Sequence, residues 1–167
     1  RPRQMCIETG IEAHKKGADE GLMLDPHGNV STCNSTNFFI IRSGEVWTST
    51  GQYCLKGITR STVIALCKEN NIPVQEKNFS LDDVYSADEV FVTGTFAGII
   101  PAIEIDGHSI NQGIRGSQTL SLQNLYKRHL DAKNIRIAMW SGPRNISTAL
   151  MRSFENRTDA YVTDEGL

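Results

Sequence analysis

The chain has 167 residues, enough for one domain with a sizeable core and part of a second. Apolar residues make up 39% and charged residues 22%, an ordinary globular balance, and a net charge of -2 gives no reason to expect nucleic acid or an anionic membrane as partner. No apolar run in these residues is long enough to span a bilayer.

In chain order, Met5, Ile7, Ile11 and Ala13 recur at helical spacing, and Gly17 stops the helix predicted over 4–16. Gly21-Leu22-Met23-Leu24 is a short apolar strand, Asp25-Pro26-His27-Gly28-Asn29 a turn, and Val30 starts the return strand of a hairpin. Asn37 to Arg42 is apolar enough to be covered on both faces, and Ser43-Gly44 turns it into Glu45-Val46-Trp47-Thr48. A helix runs from Ile58 to about Asn70, with Pro73 beyond its end. Val74 to Phe79 reads as a strand, and Ser80-Leu81-Asp82-Asp83 as a capped helix start. Glu89 to Thr93 and Ile99 to Ile105 are strands, Asp106-Gly107 is a hairpin turn, and Ser117 to about Leu130 is helical.

The pattern restarts near residue 134. Ile135 to Trp140 is a strand, Ser141-Gly142-Pro143-Arg144 a loop, and Asn145 caps a helix running to about Asn156. Arg1-Pro2-Arg3 carries no initiator Met or signal-peptide pattern, and Leu167 follows a strand-like run, so both ends read as cuts within something longer. Cys6, Cys33, Cys54 and Cys67 form no CxxC pair, which suits reduced thiols and a cytoplasmic location. His14, His27, His108 and His129 show no HxH or HExxH spacing, so no metal site is expected.

Chemistry is concentrated in three segments. Leu55-Lys56-Gly57-Ile58-Thr59-Arg60 is a glycine turn that opens a helix, where free N–H groups favour an anion such as phosphate. The polar run Ser31 to Asn37 and the turn Thr93-Gly94-Thr95-Phe96-Ala97-Gly98 accompany it. In these, and in Glu12-Ala13 with Gly17-Ala18-Asp19-Glu20-Gly21, Asp25 to Asn37, Ala87 to Thr95, and Ile105-Asp106-Gly107 with Gly113 and Gly116, the first 132 residues resemble the large domain of the class IV (fold type IV) aminotransferases. These are the branched-chain and D-amino acid aminotransferases and aminodeoxychorismate lyases, which use pyridoxal 5'-phosphate (PLP).

The resemblance implies an α/β fold with a mixed sheet or pseudo-barrel, a homodimer, and amino transfer from a branched-chain-like amino acid to a 2-oxo acid. It implies that Gly57, Ile58, Thr59 and Thr95 hold the cofactor phosphate, and that Leu55 packs on the ring. Phe96 and Ala97 would face the substrate, with Phe96 narrowing a pocket where the family often has small residues. Thr32 stands where the family usually has a glutamate against the pyridine nitrogen. Threonine can hydrogen-bond there but cannot hold a proton by charge, so the electron sink is weaker. The family's Schiff-base lysine is expected upstream of Arg1, because Lys15, Lys16 and Lys56 do not fit its place, and residues 1–167 alone are expected to be inactive. A PLP lyase and a non-catalytic binding or dimerisation module are the alternative readings.

Residues 134–167 resemble the truncated βαβ start of a sulfotransferase-like P-loop domain, in which Arg144, Ser147 and Thr148 form a second anion site, and sulfuryl or phosphoryl transfer by that domain is a further alternative reading of the parent.

Overall fold

The computed structural model describes residues 7–132. The strand at Ile135–Trp140, the loop bearing Arg144, Ser147 and Thr148, and the helix after it lie outside the described residues.

The first element, α1 (Ile7–Lys15), ends at Gly17, whose φ of 79° only glycine adopts without strain. The predicted hairpin follows as β1 (Leu22–Leu24) and β2 (Val30–Cys33), paired antiparallel. The central strand is β3 (Asn37–Arg42), flanked in sequence by β4 (Glu45–Thr48). Next come α2 (Ile58–Glu69), β5 (Val74–Glu76), α3 (Leu81–Tyr85), β6 (Glu89–Gly94) and β7 (Gly98–Ala102). A small ladder, β8 (Glu104–Ile105) with β9 (His108–Ser109), precedes α4 (Ser117–Ala132).

The main sheet has five strands in the order β5-β4-β3-β6-β7. It is mixed, as expected: β4 and β5 pair in parallel with α2 between them, and the other neighbours are antiparallel. Both faces of β3 are buried, which is why its sequence is a continuous apolar run. Phe39 and Ile41 pack with Val63, Ile64 and Cys67 of α2 and Leu122 of α4. Phe38 and Ile40 face the other way, onto Val30, Phe79, Val84 and Val90. Phe39 and Phe91 stand opposite each other in register and stack at 4.8 Å between ring centroids, a cross-strand pair that fixes β3 against β6.

Two predicted strands are shorter than expected. The 74–79 strand ends at Glu76, because Lys77 N bonds Thr48 O and the chain then turns so that Phe79 O accepts from Val30 N. The 99–105 strand breaks at Ile103, because Asp106 and Gly107, both at positive φ, draw Glu104 and Ile105 into their own hairpin. Pro101 is tolerated where β7 forms the edge of the sheet.

The capping box at Ser80 forms in full. Asp83 N donates to Ser80 Oγ, and Asp83 Oδ2 accepts from Ser80 N at 2.9 Å. Arg42 adds a 2.6 Å bond to Asp83 Oδ1. The backbone N–H of Ser80 foremost holds the Asp83 carboxyl below its ordinary value of 3.8, against the opposing effect of burial. A carboxyl lowered in the folded state stabilises it above pH 3.8, and the contribution is lost as pH falls through the folded value. Asp83→Asn is therefore expected to cost about 1 kcal/mol at neutral pH. Urea midpoints should show the gap between variant and wild type closing in acid.

Candidate functional site

The three polar segments meet at one end of the sheet. Asn37 opens β3 and Thr93 nearly ends β6, and the two pair directly in register. Side chains at directly opposed positions share a face, here that of Phe39 and Phe91. The α2 N-terminus abuts this sheet end through Gly57, and a Cβ placed on Gly57 would overlap Asn37 Oδ1. The second turn comes in beside the polar run, where a Cβ on Gly94 would lie 3.3 Å from Thr36 Cγ2.

The start of α2 is open. Gly57 caps it with no side-chain hydrogen bond, and no acidic residue stands in the first turn. The helical ladder begins with Ser61 N, which donates to Gly57 O, so the amides of Ile58, Thr59 and Arg60 point outward as donors. An uncapped helix N-terminus suits an anion. Ile58 is 82% exposed and Leu55 71% exposed, two large apolar side chains held in water beside those donors, whereas the Thr59 side chain is buried.

Arg60 fixes the turn from behind. Its guanidinium is buried, and Nη2 donates to Ser49 O and to Glu76 Oε2, both at 2.7 Å. Nη2 is thereby committed to structure, while the buried Nε has no hydrogen-bond partner among the described residues. Ser49 Oγ donates to Ser31 O, and Ser31 Oγ donates to Tyr53 O, so the 49–55 loop is stitched to β2.

Thr32 is buried in β2, and its hydroxyl donates to Thr36 O at 2.7 Å. With its proton committed there, the oxygen can only accept from anything else. Thr36 Oγ1 donates to Glu20 Oε2 at 2.6 Å, Ser35 Oγ donates to Glu20 Oε1, and Asn34 Oδ1 accepts from Gly21 N at 2.7 Å. Glu20 thus braces the polar run from outside. Burial, with the Glu20 carboxylate adding to it, pushes the Cys33 thiol up to about 12, so it is a neutral core group here.

The predicted site residues divide into two groups. Thr32, Leu55 and Gly57 gather around Asn37, and Ile58 and Thr59 follow Gly57 at the start of α2. Thr95, Phe96 and Ala97 form the exposed β6–β7 turn, and Phe96 is fully exposed. With Tyr126, Lys127 and Leu130 of α4, that turn bounds a cavity of about 340 Å³. Sequence reasoning missed Asn37, Glu20 and Arg60 as site-builders. For Asn37 a signal exists: a lone amide at the start of an otherwise apolar buried strand needs hydrogen-bond partners. Glu20 and Arg60 act across long sequence separations and leave no local pattern. Among the described residues, no group of three potential metal ligands occurs, and no helix is long and apolar enough to cross a membrane.

The family model for class IV amino-transferases matches residues 4–105, a span containing all three converging segments. The chain belongs to the class IV aminotransferases. A similar family member is the branched-chain-amino-acid aminotransferase of Pseudomonas aeruginosa, 43% identical over 129 residues, a match covering 77% of this chain and 42% of that protein. Branched-chain-amino-acid aminotransferase-like protein 2 of Arabidopsis thaliana is 38% identical over 140 residues, covering 84% of this chain and 25% of that protein. Among solved structures, the branched-chain aminotransferase of the thermophilic archaeon Thermoproteus uzoniensis, with norvaline, superposes with a TM-score of 0.71 at 38% identity, covering 76% of this chain and 42% of that one. This class IV chain therefore spans less than half the length of each of these relatives. The sulfotransferase domain model matches residues 135–167, outside the described residues.

Proposed function

We propose that residues 1–132 are the PLP-binding large domain of an aminotransferase acting on branched-chain-like amino acids with a 2-oxo acid acceptor, in a homodimeric parent. The observation that carries this reading is the uncapped start of α2, preceded by exposed Leu55 and linked through Asn37 to Thr32. The donor set fits a phosphorylated heterocycle. The free N–H groups of Ile58 and Thr59 hold the phosphate, and the Thr59 hydroxyl and Thr95 are the further contacts that the family resemblance implies. Leu55 covers one ring face, and its exposure leaves that apolar surface available.

When bound, PLP supplies an electron sink for the carbanion formed at the amino acid's α-carbon. Thr32 contributes little to that sink. Its hydroxyl can accept a hydrogen bond from a protonated ring nitrogen but carries no charge to keep it protonated. Phe96 and Ala97, on an exposed turn, are placed to meet substrate. The lysine that attaches the cofactor and moves the α-proton lies outside residues 1–167 in this reading, so the chain binds without turnover. Residues 134–167 are read as the start of a sulfotransferase-like domain with an anion site at Arg144, Ser147 and Thr148.

Titrating the chain with PLP tests this. The expected result is saturable binding, displaced by inorganic phosphate, with no stoichiometric adduct after borohydride. Absence of saturable binding would sink the cofactor reading, and a stoichiometric adduct on a lysine such as Lys56 would overturn the assignment of the lysine.

A further inference from the structure

Asn37 lies where the three segments of the candidate site meet, and its amide is seated in only one way. Nδ2 donates to Leu55 O at 2.9 Å and, more weakly, to Thr32 Oγ1 at 3.4 Å. Both partners face it as acceptors. A carbonyl has no proton, and the Thr32 proton is already on Thr36 O. The nitrogen must therefore point toward both, which turns Oδ1 onto Gly57. The side chain is buried, so these bonds form with little competition from water. Directly across the ladder, the Thr93 hydroxyl is also buried, and among the described residues it has no hydrogen-bond partner. Thr93 therefore makes no competing claim on the Asn37 amide.

We propose that Asn37 is the positioning residue of this site. It sets the span between Thr32, which faces the cofactor ring, and the Leu55-Lys56-Gly57 turn, which presents the phosphate donors. It touches neither ring nor phosphate. The inference rests on the cofactor reading above for its purpose, but not for its mechanics. A rigid ligand that engages both ends of the span loses affinity when the span is free to vary, because the ordering cost then falls on binding. A small anion that engages only the turn loses less.

The test uses hydrogen exchange on the full chain without ligand, followed by titration with PLP and with inorganic phosphate. In Asn37→Ala, the bonded amides of Gly57 and Ser61, which donate to Leu55 O and Gly57 O, are expected to exchange about tenfold faster, while α4 keeps its protection. The affinity for PLP is expected to fall about tenfold, and that for phosphate by less. Asn37→Asp keeps the shape and loses the donors, so it should behave alike and serves if the alanine variant does not fold. Thr93→Val is the control and should leave exchange at Gly57 and Ser61 unchanged. Unchanged exchange there in both Asn37 variants overturns the proposal. So does a rise spread evenly over the whole sheet, or an equal rise in Thr93→Val. If wild type binds no PLP, the cofactor reading fails by itself, and the exchange data still decide whether Asn37 holds the turn.

Discussion

Gly116→Ala is expected to destabilise the fold by about 3 kcal/mol, through a residue on another element. Glu89 opens β6 and is buried. Its carboxylate accepts from Gln118 N at 3.0 Å, from Thr119 N at 2.7 Å and from Thr119 Oγ1 at 2.6 Å. These are donors at the first turn of α4, so a strand supplies the cap that a local serine or aspartate usually provides. The negative charge also meets the positive end of the helix dipole. Gly116 precedes that turn, and a Cβ there would lie inside the Glu89 carboxylate. The added methyl must expel the carboxylate from its donors or push α4 off the sheet. Either way a buried charge loses hydrogen bonds. Urea denaturation of single and double variants checks this. In a Glu89→Ala background the same methyl should cost less than about 1 kcal/mol, because the group it meets is gone. A full-sized loss in that background would mean that Gly116 is needed for some other reason.

The Glu89–Gly116 contact shows why some features are legible in the sequence and others are not. Elements whose signal is local can be read directly. The apolar run of β3 announces a strand covered on both faces, that of β6 a strand, and Ser80 to Asp83 a capping box that forms with both halves. The order of the polar segments is enough to bring out the family resemblance, and with it the mixed sheet. What stays hidden depends on partners far apart in the chain. Gly116 can be noted as part of a motif, but nothing near it says that Glu89 occupies its side-chain space. Arg60 can pass for an anion ligand until Ser49 and Glu76 are seen to claim it. The break at Ile103 falls where one ladder ends at Ala102 and the next begins at Glu104, and a strand signal carries no information about which partner each residue takes.

Gly57→Ala is expected to lower stability by about 1–2 kcal/mol and PLP affinity by more than about tenfold. The glycine turn first reads as a place where backbone must approach a ligand. Its dihedral angles, φ -60° and ψ 147°, are ones that alanine adopts freely, so conformational freedom is not what the position requires. The requirement is space, and a protein group takes it, since the methyl would overlap Asn37 Oδ1. To admit it, Asn37 must rotate, and its bonds to Leu55 O and Thr32 Oγ1 break together. One methyl group then uncouples both ends of the proposed cofactor site while leaving the N–H donors of Ile58 and Thr59 chemically intact. Urea denaturation and PLP titration of Gly57→Ala, Asn37→Ala and the double variant separate the causes. If the clash with Asn37 is the whole effect, the double variant is no worse than Asn37→Ala alone. If the methyl instead blocks the phosphate directly, stability recovers in the double variant and PLP affinity falls below that of Asn37→Ala.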